Sequence, residues 1–153
     1  MNLKKLRNCD KRMQKNTQIA KNILIKNGYT CVLCNGGEEY HSTLRGVKPL
    51  IDFLESGKCF EGFSAADKTV GLGAAHLYIL LGVKSVWANV ISTPAKALLE
   101  QNEICVFYET EVPFIINRAG DGRCPIETAV NGITDPARAY NVIIKTLENL
   151  KNG

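Results

Sequence analysis

The apolar positions of the chain fall into short runs that switch between a helical and a strand period. After a polar lead-in, Ile19, Ala20, Ile23 and Leu24 recur at helical spacing, and Gly28 stands where a left-handed cap would end that helix. The runs YTCVLC and EEYHSTL follow, separated by Asn35-Gly36-Gly37, which is hairpin chemistry between two strands. Gly46 and Gly57 bracket a helix with the stripe Val47, Leu50, Ile51 and Leu54 and with Pro49 in its first turn. KCFEGF reads as a further strand. SAADKTVGLGAAH, Ser64 to His76, reads as the opening of a helix that carries Val70, Ala74, Leu77 and Leu81 on one face and stops at Gly82.

SVWANVIS is apolar nearly throughout, as expected of an interior strand covered on both faces. Ser92 or Thr93 then caps a helix over AKALLEQN, with Pro94 in its first position. ICVFYETEVPFIIN supplies one or two strands, and Pro113 imposes a break or an edge. The turn AGDGR leads into a short helix over CPIETAV, and Asp135-Pro136 opens a last helix with the stripe Ala139, Val142, Ile143 and Leu147. A helix, a hairpin, and then helices and strands in alternation predict a layered α/β domain with the hairpin at one edge of a mixed sheet. One such domain over residues 19–150, behind a lead-in over 1–18, accounts for the chain.

Charge adds an asymmetry that the periodicity does not show. Residues 1–26 hold eight Lys or Arg against Asp10 alone, a balance of +7, whereas the remainder holds eleven basic and fourteen acidic residues, a balance of −3. A basic N-terminal segment is an electrostatic footprint for RNA or an acidic partner, although no aromatic residue is interleaved there for base stacking. No apolar run approaches the ~18 residues needed to span a bilayer, and no apolar stretch follows the N-terminal charges as in a signal peptide. The expectation is a cytoplasmic protein without membrane contact. Its six scattered cysteines then read as reduced, mostly buried thiols rather than a disulfide framework.

Four motifs carry candidate chemistry. Cys31 and Cys34 have C-x-x-C spacing, but on a strand their side chains point to opposite faces, which suits neither zinc nor a redox pair. The glycines of GLGAAH lie inside a helix, where each costs roughly 1 kcal/mol relative to alanine, so they indicate close packing rather than a nucleotide loop. His76 reads as a core residue of the same helix. In NRAGDGRCPIE, Cys124 occupies a helix cap position with Glu127 three residues on, as in a capping box, and Arg118 and Arg123 nearby would favour a reactive thiolate.

The segments GVKPL (46–50), AADKTVG (65–71), VISTPA (90–95), VPFIINRAGDGRCPIE (112–127) and DPARAY (135–140) resemble a bacterial and archaeal family of unassigned activity that shares the cytidine-deaminase-like fold. The resemblance spans about residues 19–147 and implies a three-layer α/β/α sandwich with a mixed five-stranded sheet. It also implies assembly into a homo-oligomer, which is common among deaminase-like folds. Zinc deaminases of that fold place a His/Cys-x-Glu at one helix start and a Pro-Cys-x-x-Cys at the next. Here those places read Ala65-Ala66-Asp67-Lys68 and Ser92-Thr93-Pro94-Ala95-Lys96-Ala97, without a metal ligand, so neither a metal nor another cofactor is expected and hydrolytic deamination is excluded.

What the resemblance leaves is a pocket where two helix N-termini converge and favour an anion. The expected ligand is a small phosphorylated or nucleotide-like molecule. Asp67 and Lys68 form the polar pair, Asp67 either capping its helix or acting as a general base, and Cys124 is a candidate nucleophile. Ser92 and Thr93 add hydroxyls, and Lys48, Asn117, Arg118 and Asp121 are further candidate lining residues. The alternative is a non-catalytic module that contacts RNA or a protein through the basic N-terminal helix.

Overall fold

A computed structural model describes residues 14–117 and 119–152; most of the basic lead-in (1–13) and Arg118 lie outside the described residues. The chain runs α1 (Lys15–Asn27), β1 (Cys31–Asn35), β2 (Glu38–Ser42), α2 (Lys48–Glu55), β3 (Ser64–Val70), α3 (Leu72–Leu81), β4 (Ser85–Ser92), α4 (Thr93–Gln101), β5 (Cys105–Val112), α5 (Pro125–Ala129) and α6 (Pro136–Asn152). The five strands form one sheet in the order β2-β1-β3-β4-β5. β1 runs antiparallel to both β2 and β3, while β3, β4 and β5 are parallel. Among the described residues no helix is long and apolar enough to cross a membrane.

The predicted punctuation holds where its chemistry is local. Gly28 closes α1 at φ 68° and Gly82 closes α3 at φ 77°, both in the left-handed region. Ser92 is the N-cap of α4, its Oγ accepting from Ala95 N at 3.3 Å, with Pro94 in the first turn. Asn35-Gly36-Gly37 turns β1 into β2, and β5 ends at Val112, just before Pro113.

Two secondary-structure expectations are corrected. KCFEGF is a turn-rich connection rather than a strand. SAADKTV does not open a helix: it is β3, paired with β1 on one side and β4 on the other, and the helix starts only at Leu72. Alanine favours helices in isolation, but here its small size matters more. Ala65 faces the main core under α3, and Ala66 faces the smaller cluster under α1, so helices approach this strand on both faces. A strand buried on both sides shows no period-two alternation, which hides it from pattern reading.

The two faces are unequal. On one, α2, α3, α4 and α6 enclose a large cluster that includes Leu50, Leu77, Tyr78, Val86, Ile91, Leu99 and Ile143. On the other, α1 lays Ala20 and Leu24 over Val32, Cys34, Ala66 and Trp87. A buried chain of hydroxyls, Thr17 to Ser85 to Ser64, ties α1 to the starts of β4 and β3. Cys31 and Cys34 do lie in opposite clusters, so their sulfurs cannot share a ligand. The thiols of Cys31, Cys34, Cys59 and Cys124 are free, whereas Cys105 is disulfide-bonded, contrary to the expectation of reduced cysteines throughout.

Close packing does explain the glycine at position 73. A Cβ there would stand 2.5 Å from Ile126 Cγ2, so α5 can lie against α3 only if this position has no side chain. Gly73→Ala should therefore destabilise the fold by about 1–3 kcal/mol despite the better helix propensity of alanine. In a urea-denaturation cycle with Ile126→Ala, the two changes should be less than additive, because the second removes the clashing methyl. A Gly73→Ala variant as stable as the parent would exclude the close approach.

Candidate functional site

β3 contributes to, or borders, three groups of polar residues. At its C-terminal end, Gly71 leads directly into α3, and β4 likewise leads through Ser92 into α4. Glu127, from α5, fills the space between these two helix starts and is 8% exposed. Its carboxylate accepts from Leu72 N at 2.7 Å, Ile115 N at 2.7 Å and Ser92 Oγ at 2.5 Å. The free N–H groups at a helix N-terminus favour an anion, and here the protein supplies its own. Gly71 belongs to the same contact, since a Cβ on it would meet Ile115 Cγ1 at 3.1 Å and Glu127 Oε2 at 3.2 Å.

The second group lies midway along β3 on its inner face. Asp67, 7% exposed, accepts from Tyr78 Oη at 2.6 Å and from Thr69 N at 3.2 Å. Tyr78 Oη is also 3.4 Å from Cys31 Sγ, across the β1–β3 pairing. Among the described residues no ion pair reaches Asp67. Burial raises the Asp67 carboxyl to about 7, partly offset by the hydrogen bonds from Tyr78, Thr69 and the Lys68 amide. Burial also pushes the Cys31 thiol and the Tyr78 phenol well above their usual ranges.

Lys68 follows Asp67 on the strand and so points to the other face. There it borders an open groove of about 600 Å³, shared with Lys21, Leu24, Ile25, Trp87, Asn89 and Glu109. Lys21 is 3.5 Å from Glu109 and lies over the Trp87 ring at 5.0 Å from its centroid. Lys68 is exposed and, among the described residues, has no carboxylate within ion-pair distance.

The expected site residues are thus dispersed. Asp67 and Lys68 are not at a helix start and do not form a pair: strand alternation separates them by the thickness of the sheet, and burial, not Lys68, sets the Asp67 carboxyl. Ser92 is at a helix start, committed to Ala95 and Glu127. Thr93, exposed, donates to Glu111 at 2.8 Å. Lys48 pairs with Asp52 at 3.0 Å on its own helix. Asn117 and Asp121 bond to one another across an exposed turn.

Cys124, half-buried, is the N-cap of the short α5 but makes no side-chain cap bond. Nor does Glu127 complete a capping box, because its oxygens go to Leu72, Ile115 and Ser92 instead. Sequence reading missed Glu127 as a tertiary contact, together with Tyr78 and Cys31. The carboxylate three residues after a cap was visible, but its partners 55 and 35 positions away were not. His76 is fully buried, as expected of a core residue, and burial lowers its pKa.

The sheet and its two helical layers define an α/β domain with a mixed five-stranded sheet and, among the described residues, six helices. Over residues 19–147 the sequence matches the family described as TM1506, a domain of unknown function (DUF1893), and the chain belongs to that family. The crystal structure of a DUF1893 family protein (TM1506) from Thermotoga maritima is similar, with 26% identity and a TM-score of 0.79 over 88% of this chain and 92% of that one. No curated protein matches.

Two measurements check the buried carboxylates. Both oxygens of Glu127 accept, so in Glu127→Gln the amide must face an N–H or hydroxyl donor. The change should cost about 2–3 kcal/mol and reduce hydrogen-exchange protection at Leu72 and Ile115; unchanged protection there would argue against the contact. For Asp67 burial raises the folded carboxyl to about 7, from the 3.8 of a free aspartate. Between those values the folded state holds the extra proton, so stability is full below about pH 4 and falls as pH rises through about 7. Asp67→Asn should remove that component, and parallel pH–stability curves for parent and variant would refute it.

Proposed function

We propose that this chain is a binding module for a small phosphorylated or nucleotide-like anion, held in the groove between α1 and strands β3–β5. The observation that carries this reading is Lys68, an exposed cation that has no ion-pair partner among the described residues and stands at the edge of a groove that also offers Lys21 and Asn89. The strand ends, where open α/β sheets usually receive ligands, are filled by Glu127. Asp67 is enclosed and Cys124 caps a helix of five residues, so binding has more support than catalysis.

The cytidine-deaminase-like fold belongs to the same proposal, supported by a mixed five-stranded sheet with helices on both faces. Hydrolytic deamination is not proposed. The true start of α3 reads Leu72-Gly73-Ala74 and that of α4 Thr93-Pro94-Ala95, none with a metal-ligating side chain. A cytoplasmic location and a homo-oligomeric state are part of the proposal on the basis of the sequence.

A thermal-shift screen of nucleotides and phosphorylated metabolites should give stabilising ligands whose effect is lost in Lys68→Ala. Ligands that stabilise parent and variant equally would remove the groove from the account. Salt-sensitive RNA binding that survives Lys68→Ala and is lost on deleting residues 1–13 would transfer the function to the basic segment.

A further inference from the structure

The floor of the groove is a polar row laid across three parallel strands. Asp67 pairs with Ala88 and Thr69 with Val90, so Lys68 and Asn89 lie between matched pairs on β3 and β4. In the same way Ala88 pairs with Tyr108 and Val90 with Thr110, which sets Asn89 beside Glu109 on β5. Cation, amide and carboxylate thus follow one another at the strand spacing of about 4.8 Å, a row roughly 10 Å long.

From this row, and on the footing that the groove binds an anion, we infer that its ligand class is a phosphorylated sugar or polyol. Lys68, which has no carboxylate partner among the described residues, matches one phosphate. Lys21 is shared with Glu109, and that carboxylate would repel a second or third phosphate. Asn89 and Glu109 are both exposed and present acceptors, with one amide donor, to hydroxyl groups at the distance a sugar places them from its phosphate.

The groove gives a nucleobase no support. Trp87, the one aromatic lining residue among the described residues, is 2% exposed, packed beneath α1 and covered by the Lys21 ammonium. Base stacking on an open ring is worth about tenfold or more in affinity, and that term is missing here. A volume of about 600 Å³ is ample for a sugar phosphate.

The test uses the full chain with ribose 5-phosphate, ribose, inorganic phosphate, AMP and ATP, read by calorimetry. Ribose 5-phosphate should bind more tightly than ribose or phosphate alone, and AMP no more tightly than ribose 5-phosphate. Lys68→Ala should weaken it about tenfold or more and Glu109→Gln several-fold, with Tm little changed because both positions are exposed. AMP or ATP binding tenfold tighter, still dependent on Lys68, would overturn the ligand class and leave the groove in place. Binding indifferent to Lys68→Ala, or no binding by any of the five, would overturn the groove as well.

Discussion

The carboxylate of Glu127 joins three parts of the chain that are far apart in sequence. Leu72 N begins α3, Ser92 Oγ begins α4, and Ile115 N belongs to the segment that follows β5. Without the carboxylate the buried donors of Leu72 and Ser92 and the part-buried donor of Ile115 would each lose this partner, and a buried unsatisfied donor costs as much as several surface ion pairs. The packing around it is arranged to suit. Gly71 leaves room for Glu127 and Ile115, and Gly73 leaves room for Ile126 on the same short helix. The C-terminal edge of the parallel strands is closed by this contact.

That closure changes which surface is available for recognition. In open α/β sheets the helix N-termini at the strand ends form a natural anion site. Here the positive ends of the dipoles face an internal carboxylate, so an external anion would first have to displace it. The α1 side differs, because among the described residues α1 is the helix that covers it, and Lys68 on β3, Asn89 on β4 and Glu109 on β5 are exposed beside it. Lys68, Asn89 and Glu109 are exposed there, one from each strand.

β3 connects the two surfaces. Its alternation sends Asp67 inward, to Tyr78 and Cys31, and Lys68 outward, to the groove. Neighbours in sequence therefore experience opposite environments: one carboxyl is so deeply buried that it titrates near 7, while the adjacent ammonium is hydrated. Their proximity along the chain produces no ion pair, because on a strand the backbone lies between them.

Features whose physics is local could be read from the sequence. Gly28 and Gly82 as helix stops, Asn35-Gly36-Gly37 as a hairpin turn, Ser92-Thr93-Pro94 as a helix start and the apolar run of β4 all depend on conformations settled within a few residues. The divergence of Cys31 and Cys34 followed from strand geometry alone, and the small residues of GLGAAH were correctly read as close packing. Only the tertiary structure made SAADKTV a strand, because strand identity there comes from pairing with β1 and β4 and not from the preferences of Ala65 and Ala66. It also assigned Glu127 its donors and placed Asp67 and Lys68 on opposite faces. Those facts rest on contacts between segments tens of residues apart, and such contacts leave no trace in the periodicity or composition of either segment.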